Sequence, residues 1–165
     1  MGTNAVQRGP TAATVAANVK RLREQLNLGL RALAQRLADA GRPLTHTALD
    51  KIERGTRRVD VDDLMALAAA LDISPATLLM PAIVPVAGLP KLAYRPEWDA
   101  PAEVTGLPKD VDANTLWMWL TAQAPPRPAY DDAAFAAWAA RSIPAPWLTV
   151  NIARANAEES DRGNH

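Results

Sequence analysis

Apolar residues begin to recur at helical spacing at Val15 and continue, with interruptions, to Met80. Val15, Val19, Leu22 and Leu26 fall at i, i+4, i+7 and i+11, which lines one face of a helix, and Thr11 or Thr14 stands where it would cap the start. A second stripe of Leu30, Leu33, Ala34 and Leu37 follows a break at Gly29 and runs to about Ala40, after which Gly41, Arg42 and Pro43 force a turn. Thr45 is placed to cap a third helix, short and mostly polar, with Ala48, Leu49 and Ile52 as inward positions and Gly55 as its stop. Asp60 and Asp63 resemble a capping arrangement that opens a fourth helix carrying Val61, Leu64, Met65, Ala68 and Leu71. Ser74 followed by Pro75 starts a fifth that runs through Leu79. Five helices within about 70 residues predict an all-α bundle.

Beyond Met80 the pattern changes character. Eleven of the 14 prolines and all five tryptophans lie beyond Pro75. Pro81, Pro85, Pro90, Pro96, Pro101 and Pro108 favour extended backbone over residues 81 to 110, because proline fixes its own φ and steers the preceding residue away from helix. Two short helices are expected later, one from about Ala113 to Gln123 with Leu116, Trp117 and Leu120 on one side, and one from about Asp131 to Arg141 with Phe135 and Trp138. Trp98, Trp117, Trp119, Trp138 and Trp147 serve either as apolar mass in a small core or as a subunit or ligand interface.

At 165 residues and 48% hydrophobic content the chain is long enough for one compact domain with an appendage. It has no cysteine, which rules out disulfides, a thiolate nucleophile and Cys-based zinc sites. The two histidines, His46 and His165, are too few and too far apart for a His-based triad or metal cluster, and no glycine-rich phosphate loop is present. An enzyme, a metal site and a cofactor are therefore not expected. Neither a run of about 20 apolar residues nor a secretory signal over Met1 to Pro10 is seen, which predicts a cytoplasmic protein with no membrane partner.

The formal net charge of zero conceals an asymmetry. Before Pro81 stand 11 Lys/Arg against 8 Asp/Glu, and after it 7 against 10. Between Asn18 and Arg58 the bias sharpens, with Lys20, Arg21, Arg23, Arg31, Arg36, Arg42, Lys51, Arg54, Arg57 and Arg58 facing only Glu24, Asp39, Asp50 and Glu53. A local basic face suits a polyanion, and it equally suits an ordinary solvated helix surface.

Five blocks in order decide between these readings: Asn18 to Gln25 (NVKRLREQ), Leu33 to Leu37 (LAQRL), Ala48 to Gly55 (ALDKIERG), Asp63 to Leu71 (DLMALAAAL) and Asp72 to Leu78 (DISPATL). Their order and spacing resemble the lambda-repressor-like, or XRE, helix-turn-helix family of DNA-binding domains. The resemblance implies a five-helix DNA-binding bundle, a helix-turn-helix domain over 11–81, while composition and periodicity predict a flexible arm over 1–10, a Pro-rich linker over 82–110, a small helical region over 111–150 and a disordered tail over 151–165. The resemblance also implies a sequence-specific transcriptional regulator, a repressor, whose partner is a double-stranded DNA operator.

By the same resemblance His46, Thr47, Asp50 and Lys51 on the third helix occupy base-reading positions, and Arg54, Arg57, Arg58 and Arg31 face phosphates. Arg23 and Glu53 stand where the family places a structural ion pair between the first and third helices. Two departures are visible: Gly29 and Leu30 replace the family's hydroxyl cap and following glutamine, and the turn Ala38 to Leu44 (ADAGRPL) is longer than usual. Some larger repressors of this family carry a self-cleaving Ser/Lys domain, but Ser142 and Ser160 have no matching lysine nearby. Leu116, Trp117, Leu120, Phe135 and Trp138 are the candidate interface of a homodimer or a surface for a protein partner. An antitoxin whose tail blocks a toxin, and a scaffold that binds only protein, are the alternative readings.

Overall fold

The computed structural model describes residues 9–81, 102–109, 111–127 and 131–144. Expectations for the arm before residue 9, for residues 82–101 of the linker and for the 151–165 tail fall outside the described residues, as do Trp98 and Trp147. Seven helices and no strand occur among the described residues: α1 (Pro10–Gln25), α2 (Leu30–Asp39), α3 (His46–Glu53), α4 (Val61–Ala70), α5 (Pro75–Leu79), α6 (Ala113–Leu120) and α7 (Asp132–Ser142). The chain divides into two compact units, Met1–Trp117 and Met118–His165.

Side chains cap the starts of α3, α4 and α5, whereas α1 and α2 start from glycine. Thr45 Oγ1 accepts the Ala48 N–H, Asp60 accepts the Asp63 N–H and Ser74 accepts the Ala76 N–H. At α1 neither Thr11 nor Thr14 caps; Gly9 is the N-cap and Pro10 opens the helix, its missing N–H being no loss where no intrahelical partner exists. Asp63 likewise does not reciprocate the capping bond of Asp60. Its carboxylate is used elsewhere.

The first four helices end with one device. The N–H of the residue two beyond the C-cap reaches back to a carbonyl five residues earlier, with the intervening residue in the left-handed region. The bonds are Leu28 to Arg23 at 3.0 Å, Arg42 to Leu37 at 2.9 Å, Thr56 to Lys51 at 2.7 Å and Ile73 to Ala68 at 3.0 Å. The left-handed residues are Asn27 (φ 54), Gly41 (φ 78), Gly55 (φ 64) and Asp72 (φ 55). The break after α1 is thus made by Asn27, whereas Gly29 is extended and serves as the N-cap of α2.

The core of the first five helices is built from Val15, Val19, Leu33, Leu37, Leu44, Leu49, Ile52, Leu67, Ala68, Leu71 and Leu78, with Leu22, Leu30, Ala34 and Leu64 packed at its margin. α1 packs on α3 and α5, α2 on α3 and α4, and α4 on α5. Three expected inward positions are corrected. Leu26 is the exposed C-cap of α1, and Val61 and Met65 lie on the open side of α4 at 76% and 54% exposure, with Leu67 taking the inward place. The helical period fits both stripes of α4, and only the position of α2 and α5 selects between them.

Asn18 joins the first helix to the last of the bundle. It is fully buried, and its Nδ2 donates to the backbone carbonyls of Leu78 at 3.0 Å, Met80 at 2.5 Å and Thr77 at 3.3 Å. These are end-of-helix carbonyls that α5 itself cannot satisfy. Arg21 Nη2 in turn donates to Asn18 Oδ1 at 3.0 Å.

Residues 102–109, expected as extended linker, hold a turn at Thr105 and Gly106 (φ 88) that meets the start of α1. The Thr105 N–H donates to Thr11 Oγ1 at 2.9 Å, and a Cβ at position 9 would come within 2.5 Å of Thr105 Oγ1. α6 ends at Leu120 rather than Gln123, because Ala122 takes a left-handed conformation (φ 55) and Gln123 N–H turns back to Met118 O at 2.7 Å. Its N-terminal Asp112 accepts the Thr115 N–H at 2.7 Å and the Thr115 hydroxyl at 2.8 Å. Burial pushes that carboxyl up, but these bonds outweigh burial and hold it below the usual carboxylate range. Leu116 is fully buried, Leu120 half-buried and Trp117 exposed, so the three do not share one face. In the second unit Asp131 caps α7, and Phe135 and Trp138 lie with ring centroids 5.7 Å apart.

Replacing Asn18 by Leu keeps the volume and removes every bond to the end of α5, leaving buried carbonyls without a donor. This should cost about 2 to 3 kcal/mol. Thermal melts of the variant should show a Tm lower by about 10 °C or more, and a shift under about 2 °C would contradict the role given to Asn18.

Candidate nucleic-acid interface

α3 is eight residues long and two-sided. Leu49 and Ile52 are fully buried and Ala48 is half-buried, while His46, Thr47 and Lys51 are exposed. Such a helix presents polar side chains on one face while the other is fixed in the core. The major groove of B-DNA, about 12 Å wide, admits one helix of this kind and shows a distinct donor and acceptor pattern for each base pair.

Both ends of α3 are tied to neighbouring elements. At its C-terminus Glu53 receives a two-pronged contact from Arg23 of α1, Nε to Oε1 at 2.6 Å and Nη2 to Oε2 at 2.9 Å. The side chains are 13% and 7% exposed, so the pair is largely out of water. Arg23 Nη1 also donates to Leu28 O at 2.8 Å, which fixes the α1–α2 turn with the same guanidinium. The hydrogen bond to Glu53 is the main cause that raises the Arg23 pKa above its ordinary value, against the opposing pull of burial.

Before α3, the extended turn is held by Leu44, which is buried, and by Arg42. Arg42 Nε donates to Asp63 Oδ1 at 2.9 Å and its Nη2 to Asp60 Oδ2 at 2.9 Å, both at the start of α4. These carboxylates, Asp63 foremost, raise the Arg42 pKa. After α3, the Lys51 carbonyl accepts the N–H of Thr56 at 2.7 Å, the N–H of Arg57 at 3.0 Å and the Thr56 hydroxyl at 3.1 Å. Arg57 Nη2 donates to Asp63 Oδ2 at 3.2 Å.

Residues 19–78 match the helix-turn-helix family model. These residues are a helix-turn-helix domain of the lambda-repressor-like type. A domain of this type supports a DNA-binding transcription regulator, and the family it comes from is a regulatory one rather than an enzyme family. No curated protein and no solved structure matches the chain. Among the described residues no helix is long and apolar enough to cross a membrane, and no three His, Cys, Asp or Glu side chains converge as a metal site.

Within the helix-turn-helix domain the expected site residues fall into two sets. His46, Thr47 and Lys51 lie exposed along α3, and Arg31 is exposed at the start of α2. Asp50 and Arg54, expected to face a base and a phosphate respectively, form an ion pair with each other one turn apart at the end of α3. Arg57 has one guanidinium nitrogen on Asp63, and Arg58 is exposed. Three residues of the domain were not marked by sequence reasoning: Asn18, Arg42 in its role as a tether, and Asp63 as an ion-pair partner. The signal for the last was the acidic cluster Asp60, Asp62 and Asp63 immediately after Arg57 and Arg58.

Arg23→Ala strands the buried Glu53 carboxylate, and Glu53→Ala strands the guanidinium. Each should cost about 2 to 4 kcal/mol, since removing one member leaves an uncompensated buried charge. Denaturant unfolding of both single variants and the double variant should show the double falling well short of the sum. Additivity within about 0.5 kcal/mol would sink the pairing as an energetic link.

Proposed function

We propose that the protein is a sequence-specific repressor that reads the major groove of its operator with α3. The observation that carries this reading is the two-sided character of α3: Leu49 and Ile52 are fully buried while His46, Thr47 and Lys51 are exposed on a helix tied at both ends. Lys51 donates to guanine O6 or N7, Thr47 offers its hydroxyl or methyl, and His46 donates or accepts at a base edge. Asp50 pairs with Arg54 through Oδ2 and keeps Oδ1 to accept from cytosine N4.

Arg57, Arg58, Arg54 and Arg31 supply phosphate contacts, which set affinity and register without reading sequence. Repression needs nothing more than occupancy of a site that the transcription machinery also requires. One α3 spans few base pairs, so the protein acts as a homodimer that sets two reading helices about 34 Å apart on a near-palindrome. With Leu116 fully buried, the exposed Trp117 and Phe135, each in its own unit, are the candidate contacts between copies.

Titration of the full-length protein against its preferred duplex and a scrambled one tests the reading. Lys51→Ala and Thr47→Ala should each weaken the preferred duplex by about 1 to 3 kcal/mol and the scrambled one far less. Arg57→Ala with Arg58→Ala should weaken both equally and flatten the slope of log affinity against log salt by about 1 to 2. Equal losses on both duplexes for Lys51 and Thr47 would remove them from base readout, and an unchanged salt slope would remove the arginines from the backbone. Stoichiometry in the same titration should be two chains per duplex.

A further inference from the structure

We propose that Asp63 is a positioning residue for DNA binding, acting through Arg57. The inference rests on the reading of Arg57 as a phosphate contact. Asp63 is 1% exposed on the first turn of α4 and touches no surface that a duplex could reach. A carboxylate so far out of water needs charged partners. It has two: Oδ1 takes Arg42 Nε at 2.9 Å from the turn before α3, and Oδ2 takes Arg57 Nη2 at 3.2 Å from the loop after it.

Both segments that flank the reading helix therefore converge on one buried oxygen pair. Arg42 is further held by Asp60 at 2.9 Å, so the four side chains Arg42, Arg57, Asp60 and Asp63 are neutral as a group. The cluster is not a surplus of positive charge waiting for DNA. It is a clamp that fixes where one cationic edge points.

Arg57 is fixed at both of its ends. Its backbone N–H is bound to the Lys51 carbonyl of α3 at 3.0 Å, and one nitrogen of its guanidinium is bound to α4 through Asp63. The planar fork has five donors, of which the bond to Asp63 uses one, and the side chain remains 37% exposed. Its remaining edge is thereby held in a set relation to the C-terminal end of α3. A long side chain already confined in this way loses less freedom when it meets a phosphate.

Asp63→Asn separates positioning from simple electrostatics because the two predict opposite signs. Removing a negative charge near the phosphate-binding loop should tighten DNA binding on Coulombic grounds. Loss of positioning should weaken it, by about three- to tenfold. The probe is a mixed-sequence duplex of about 20 bp, which suffices because phosphate contacts do not depend on sequence.

Four full-length proteins are titrated at fixed salt: the unmodified chain, Asp63→Asn, Arg57→Gln and the double variant. The expected result is a three- to tenfold loss for Asp63→Asn in the unmodified background and less than about twofold in the Arg57→Gln background. The same loss in both backgrounds, or tighter binding, overturns the proposal while leaving Arg57 as a phosphate contact. If Arg57→Gln itself changes neither affinity nor the salt slope, the underlying reading of Arg57 fails and the proposal falls with it.

Should Asp63→Asn not fold, nitrogen NMR of the unmodified protein decides. Nη2 bound to Asp63 predicts hindered rotation and distinct η-nitrogen signals for Arg57 before and after DNA is added. Averaged signals in the DNA-free protein overturn the proposal.

Discussion

An eight-residue helix is too short to persist alone in water, so α3 exists in a fixed orientation only because its neighbours impose one. Two buried side chains, Leu49 and Ile52, give it adhesion to the core, but two points of apolar contact leave rotation about the line between them weakly resisted. The Arg23–Glu53 pair supplies the missing directional restraint. Its forked geometry fixes angle as well as distance, and its burial means that breaking it strands a charge rather than freeing a surface side chain. The Schellman-type ends of α2 and α3, at Gly41 and Gly55, then set how the chain enters and leaves α3.

The basic bias of the N-terminal half takes on a different meaning once partners are assigned. Arg23 serves Glu53, Arg42 serves Asp60 and Asp63, Arg54 serves Asp50, and Arg57 serves Asp63. Several of the cations that sequence alone assigns to a polyanion are thus engaged within the fold. They hold the turn and the loop around α3, and the count of positive residues overstates the charge offered outward. Among these pairs Arg57 keeps an edge open, since one of its nitrogens is bound to Asp63 and the side chain remains 37% exposed.

Sequence reasoning read the five helices because each carries a stripe of apolar residues at helical spacing and a recognisable cap or stop. Gly41 and Gly55 were legible as stops because glycine is the default residue at positive φ, whereas Asn27, Asp72 and Ala122 do the same work with residues that sequence does not mark. On α4 the expected Leu64, Ala68 and Leu71 do face the core, but Val61 and Met65 lie outside it and Leu67 inside, since all fit the period and only packing decides. Arg23 with Glu53 was legible through the family resemblance. Asp63 with Arg42 was not, because the contact spans an extended turn whose path is set by the left-handed Gly41 and the burial of Leu44. Asp50 and Arg54 stand four residues apart, a spacing that suits an ion pair along a helix as well as it suits two outward contacts, and only the side-chain positions show the pair.

The account's central claim is that α3, held by its ion pairs, reads a defined base sequence. The most direct measurement is selection of bound duplexes from a fully random DNA pool with the unmodified full-length protein, followed by sequencing of what is retained. The account predicts a short enriched motif recurring in inverted orientation with its two halves about 10 bp apart. A retained pool indistinguishable in sequence from the starting pool would contradict it.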